Sequence, residues 1–240
     1  LGSSRPAAGI RPELWQEHSA SDQSPMVFNF AIAGVGPRQQ LIYLRRLLSA
    51  GIRPSGVLIE ILPASLNQSG HASEDQMIKK RGLEAEELAI LNGSLSPAPS
   101  PDSQPSSEWG SHWSSLRLRM LRRFAPAWVE TDVSSNASPK QFSPWGWRPF
   151  AKGVQVASAE EYRRGIERSR AEFEYRLVNW EVTEIADRAV RQMLNDCRRE
   201  HIRTALYLMP EATAFQKMYP PEVRTKLKDY LASLSQDGDI

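Results

Sequence analysis

The chain has a single cysteine, Cys197, so it carries no internal disulfide and no multi-cysteine metal site. Its four histidines, His18, His71, His112 and His201, are far apart, and none has the H-x-x-x-H spacing of a helical metal site. No metal and no cofactor are expected. An excess of one charge is also missing. Lys and Arg number 30 against 28 Asp and Glu, and a net charge of +2 gives no field that would draw nucleic acid or an anionic membrane. No apolar run approaches the ~18 residues that a membrane-spanning helix needs, and no signal peptide is visible. The first residue is not Met, and the sequence opens inside an apparent strand. It ends as a helix turning toward another strand. This pattern is expected of an internal fragment, for which missing targeting signals carry little weight.

What is present is an alternation of strand and helix patterns. Leu1-Gly2-Ser3-Ser4-Arg5 reads as the end of a buried strand running into a tight turn. A second strand is expected over 26–33, a nearly continuous apolar run of the kind covered on both faces, ending at Gly34-Val35-Gly36-Pro37. Leu41, Leu44, Leu47 and Leu48 then recur at helical spacing, with Gly51 as a C-cap. A third strand, 57–62, stops at Pro63. Strand, helix and strand in that space make a right-handed βαβ unit with parallel strands.

Residues 67–157 differ in character. They hold a short helical pattern at 84–91, a Pro/Ser-rich stretch at 94–107, and a cationic amphipathic pattern at 114–124. The aromatic group of Trp145, Trp147 and Phe150 suits pinning an insertion to a core, with a substrate-lining role as the alternative. From 158 to 199 the pattern is helical but too long for one helix, so a break is expected near Trp180-Glu181. A strand at 204–209 and a helix from Pro220-Pro221 complete the order. The expected fold is α/β, a three-layer α/β/α domain with a mostly parallel sheet. Residues 1–66 and 158–240 would form it, and 67–157 would be the insertion.

In a parallel sheet, the ends at Ser4, Gly34, Pro63 and Pro210 fall along one edge, which is where ligands bind. Ser4 offers a hydroxyl, and the amides of Ser4 and Gly34 are candidate donors to an oxyanion. Ser3, Arg5, Asn29 and Asn67 are the candidate lining residues of such a site. Asn29 fits better as a structural hydrogen-bonder, Asn67 as a turn residue, and Arg5 as a surface residue. Gly34-Val35-Gly36 before a helix also suggests a phosphate cradle. However, Gln39 stands where a dinucleotide fingerprint needs its third glycine, and no Lys-Ser or Lys-Thr pair follows.

Gly2-Ser3-Ser4 resembles the Gly-Asp-Ser block of the SGNH (GDSL-like) hydrolase superfamily, with Ser3 where Asp usually stands. The run from Asn29 to Gly34 resembles that family's second block, an Asn-bearing strand ending in the oxyanion glycine. Leu58 to Pro63 occupies the place of the third block, without its Gly-x-Asn. The Gly-Ser-Ser start, the Pro-ended third strand, the insertion and the Met209-Pro210-Glu211 strand end look more like divergent, often membrane-tethered members, some of which resemble polysaccharide O-acetyltransferases and related acyl-transfer proteins. The resemblance implies a flavodoxin-like, SGNH-like fold and a serine esterase or O-acyltransferase acting on an acyl ester or acylated carbohydrate. It also implies a membrane-associated or extracytoplasmic setting, with any tether outside this stretch. The family's Asp-x-x-His block is expected beyond Ile240, so this stretch alone would lack its base and be inactive. The alternative is a non-catalytic α/β module that binds a partner or glycan through the insertion. No nucleic-acid partner is expected in either case.

Overall fold

The computed structural model describes residues 1–18, 26–81, 87, 143–148 and 158–236. The expected helices at 84–91 and 114–124 and the Pro/Ser-rich stretch at 94–107 therefore lie outside the described residues, apart from Glu87. Leu1–Glu74 together with Ala137–Ile240 form one compact unit, and Asp75–Asn136 a second.

The first unit is α/β. In chain order it holds helices α1 (Ser4–Gly9), α2 (Glu13–His18) and α3 (Pro37–Ser49), then strand β1 (Gly56–Glu60). The short α4 (Pro63–Leu66) and the start of α5 (Gln68–Arg81) follow. After these come α6 (Ala159–Phe173), a 3-10 turn (Glu174–Leu177) and α7 (Glu184–Arg199). Strand β2 (Arg203–Tyr207), α8 (Thr213–Gln216) and α9 (Pro221–Gln236) close the order.

β1 and β2 pair in parallel, Gly56 opposite Arg203 and Glu60 opposite Tyr207. Two shorter segments extend this pairing on the β1 side. Leu1 N donates to the Leu58 carbonyl at 2.8 Å, and Glu60 N–H donates to the Leu1 carbonyl at 3.1 Å. Gly2 in turn makes an isolated parallel bridge with Ala31, and Ile32 N–H donates to its carbonyl at 2.9 Å. Side by side, the order is therefore the segment around Ala31, the Leu1–Gly2 segment, β1 and β2.

The expected strand over 26–33 is reduced to that single bridge. Nor is the run covered on both faces: Met26 is 73% and Phe28 54% exposed. Asn29 N–H donates instead to the Trp145 carbonyl at 2.8 Å. β1 and β2 also end earlier than the expected 57–62 and 204–209.

α3 forms where the leucine spacing predicts it, and Gly51 follows with a φ of +79°. Its buried face, Leu41, Ile42 and Leu44, packs on α7, whose Ala189, Val190, Met193 and Cys197 are also buried. The long helical pattern breaks as expected around Trp180. The indole is 2% exposed and its Nε1 donates to the Pro63 carbonyl at 2.8 Å. Thr183 then caps α7, its side chain accepting from Ala186 N–H and its own N–H donating to the Leu66 carbonyl. At the start of α6, Ser158 and Glu161 form a reciprocal capping box.

Candidate functional site

The parallel register carries the ends of all four segments to one rim. Ser3 and Ser4 leave the first segment, Ala33 and Gly34 the second, Leu62 and Pro63 follow β1, and Leu208 to Pro210 follow β2. This edge is where an open parallel sheet presents its functional groups.

The two adjacent serines are in different environments. Ser3 is the N-cap of α1, buried, and its Oγ accepts from Arg5 N–H at 3.3 Å. Its own N–H donates to Glu60 Oε2 at 2.7 Å. Ser4, the first residue of α1, is exposed. Gly34 is also exposed, and its φ of +73° is a left-handed conformation that side-chain-bearing residues resist. Ser4 and Gly34 thus stand on adjacent segment ends, two residues past Gly2 and three past Ala31.

Glu60 was not singled out in the sequence. It is 1% exposed, and its Oε1 has no hydrogen-bond partner among the described residues. The carboxylate reaches Ser3 because Gly2 has no side chain: a Cβ there would lie 3.0 Å from Oε2 and 2.5 Å from the Pro6 ring. The signal was one acid inside the apolar run of the third strand pattern. Burial raises the Tyr207 phenol well above its ordinary range, and the Glu60 charge adds to that, while the Arg5 charge opposes it.

Arg5 is part of a cluster around Glu211. Its Nη1 pairs with Glu211 Oε1 at 2.9 Å, and its Nη2 donates to the Met209 carbonyl at 3.2 Å. The guanidinium lies 5.7 Å from the centre of the Phe215 ring. Tyr219 donates its hydroxyl to the same Glu211 oxygen at 2.9 Å. Burial raises that phenol as well, reinforced by the neighbouring carboxylate.

The two asparagines are bonded to backbone groups. Asn29 Nδ2 donates to the Pro6 and Ile10 carbonyls at 2.7 and 2.8 Å, and its Oδ1 accepts from Ala31 N–H. Asn67 donates to the Arg176 carbonyl, and its Oδ1 accepts from Gly70 N–H at 2.9 Å, which caps the start of α5. Both are buried and hold turns in place.

The phosphate-cradle reading of Gly34-Val35-Gly36 is overturned. Gly36 is the N-cap of α3, and the carboxylate of Glu74 occupies the space its missing side chain leaves. Glu74 Oε1 accepts from Gln39 N–H at 2.9 Å, and Oε2 pairs with Arg38 Nε at 3.3 Å. The protein's own anion sits where a phosphate would have to bind.

Among the aromatic loop residues described, Trp147 is pinned to the first helix. Its Nε1 donates to the Ala8 carbonyl at 2.9 Å, and the Arg11 guanidinium lies 5.0 Å from its ring centre. His71 lies on α5, where its carbonyl accepts from Arg38, and exposed His201 precedes β2 at the opposite end from the rim. Of His18, only the backbone is described, and His112, Asp237 and Asp239 lie outside the described residues. No family model, no curated protein and no solved structure matches the chain.

Proposed function

We propose that the chain carries the nucleophile of a serine ester hydrolase or O-acyltransferase of SGNH-like type, built on a three-layer α/β/α domain. The observation that carries this reading is the division between the two serines at the rim. Ser3 is buried and committed through both its hydroxyl and its amide, whereas Ser4 is exposed beside the exposed, left-handed Gly34.

Ser4 Oγ attacks the acyl carbonyl carbon, forming an acyl-serine as the ester C–O bond breaks. The hydroxyl proton passes through a general base to the departing alcohol. In this reading the amides of Ser4 and Gly34 hold the negative charge on the carbonyl oxygen. Water or a sugar hydroxyl then takes the acyl group, which makes the protein a hydrolase or a transferase. The resemblance assigns the base to an Asp-x-x-His block, and no residue of 1–240 is given that role. The substrate is an acyl ester or acylated carbohydrate, and a membrane-associated setting belongs to the same proposal.

A fluorophosphonate probe tests it on the full-length protein. Labelling that disappears in Ser4→Ala and survives in Ser3→Ala supports the assignment. Equal labelling of wild type and Ser4→Ala, or of neither, overturns it in favour of a binding module.

A further inference from the structure

The loops after β1 and β2, with residues of α8 and α9, line an open groove of about 310 Å³. Pro63 forms one wall, and Leu208, Met209, Pro210, Tyr219 and Leu227 most of the others. Arg5, the residue after Ser4, bonds to the Met209 carbonyl and to Glu211, which also lines the groove. The groove therefore opens on the same rim as Ser4.

Its polar lining residues are bonded to one another. Glu211 Oε1 accepts from both Arg5 and Tyr219, Gln216 Nε2 donates to the Glu211 carbonyl at 3.0 Å, and Arg224 donates to the Gln216 carbonyl. The Tyr219 hydroxyl turns to Glu211, so the groove meets the ring. What faces a ligand is mostly hydrocarbon, with Gln216 and Arg224 at the edge, and Leu208 is 46% exposed. A sugar ring would lose hydrogen bonds to water on entering such walls, whereas an aliphatic chain gives up none.

We infer that this groove is the acyl subsite, holding the aliphatic chain of an ester longer than an acetyl. The inference rests on the reading of Ser4 as nucleophile. The test uses full-length protein and p-nitrophenyl esters from acetate to octanoate. Each methylene that enters the groove should raise kcat/KM about fourfold until the walls are filled. Leu208→Asp should flatten that rise, and Leu208→Trp should shorten the best chain. Because Leu208 is largely exposed, neither change disturbs the core. Rates independent of chain length, or a rise that survives Leu208→Asp, overturn the subsite while Ser4-dependent labelling stands. Loss of the Ser4 assignment is read separately, from the labelling. Calorimetric titration of Ser4→Ala protein with N-butylhexanamide adds a readout that needs no turnover. Binding at least tenfold weaker in the Leu208→Asp/Ser4→Ala protein is expected, and equal binding overturns the inference.

Discussion

Removing Glu74 should loosen the end of α3 that carries Gly34 into the rim. Arg38 and Glu74 have side chains only 4% exposed each, and their charges meet at 3.3 Å. The other carboxylate oxygen accepts Gln39 N–H at 2.9 Å in the first turn of α3. Glu74→Ala takes one carboxylate from beside the buried Arg38 guanidinium, a change that costs up to about 3–5 kcal/mol in comparable pairs. It also removes a helix-capping acceptor worth about 1 kcal/mol. Arg38 Nη2 retains the His71 carbonyl at 3.5 Å, which places the expected loss near the lower end, about 3–4 kcal/mol. Arg38→Met should cost a similar amount, because it leaves the carboxylate buried. The double variant Arg38→Met/Glu74→Leu should recover to within about 1 kcal/mol of wild type, since an apolar pair of similar volume has no charge to desolvate. Urea unfolding followed by circular dichroism reads all four proteins of the cycle. With a slope of about 2–3 kcal/mol per molar, the single variants shift the midpoint by at least about 1 M. Single-variant losses below about 1 kcal/mol, or losses that simply add in the double, would refute the buried pair as the lock of this helix end.

Three further outcomes are expected. Gly146→Ala should destabilise by at least about 2 kcal/mol, because φ is +80° and the new Cβ would lie 2.1 Å from the Asn29 carbonyl oxygen. Chemical denaturation with tryptophan emission checks it, and an unchanged midpoint would rule out the close approach. Tyr207, Tyr219 and Tyr230 should ionise only well above the ordinary phenol range, first through burial and then through Glu60, Glu211 and Asp187 respectively. Their stabilising contribution is complete below the ordinary phenol value and is lost as pH rises through the raised ones. Absorbance at 295 nm should therefore show three phenols ionising together with loss of far-ultraviolet dichroism. Ionisation of all six with the fold intact counts against it. The Cys197 thiol is fully buried, and that burial is the main cause of its raised pKa. It should react with Ellman's reagent at pH 8 only after unfolding, and rapid reaction in native buffer would contradict the packing of α7 against α3.

Helices with a periodic apolar face and local punctuation were legible in the sequence. α3 has its leucine spacing, Pro37 at the start and Gly51 after the end. The break near Trp180-Glu181 follows from a pattern too long for one helix, and in the structure Thr183 caps the helix after it. Strand extent was not legible, because an apolar run states only that a segment tolerates burial. Pairing extent depends on the neighbouring segment, and Ala31 meets Gly2 in a single isolated bridge. The α5 helix was missed although Asn67 precedes it, since Asn67 followed three positions later by Gly70 suggests a turn as readily as a helix start. The buried charges were the least accessible part of the site. Arg38 and Glu74 are 36 positions apart, Ser3 and Glu60 are 57, and nothing local indicates that either pair will meet. The rim itself was legible, because parallel topology alone brings the segment ends together.

The same geometry accounts for a serine rather than an acid at position 3. Either residue can cap a helix start, so capping does not choose between them. Glu60 does. Its Oε2 lies 2.7 Å from the Ser3 nitrogen, and its Oε1 is buried without a partner among the described residues. An aspartate side chain at position 3 would bring a second carboxylate into the same enclosed space, where two like charges cannot both remain ionised without a large cost. Ser3→Asp should therefore destabilise the protein by about 3 kcal/mol or more at pH 7. Glu60→Gln keeps an acceptor for the Ser3 amide and removes the opposing charge, so Ser3→Asp/Glu60→Gln should recover most of that loss. The loss in Ser3→Asp should also shrink as pH falls and one carboxyl takes up a proton, which an acid-side series of urea midpoints would show. If Ser3→Asp is neutral with Glu60 intact, or if Glu60→Gln makes the aspartate worse, the two positions do not share one charge site, and the serine at position 3 needs another cause.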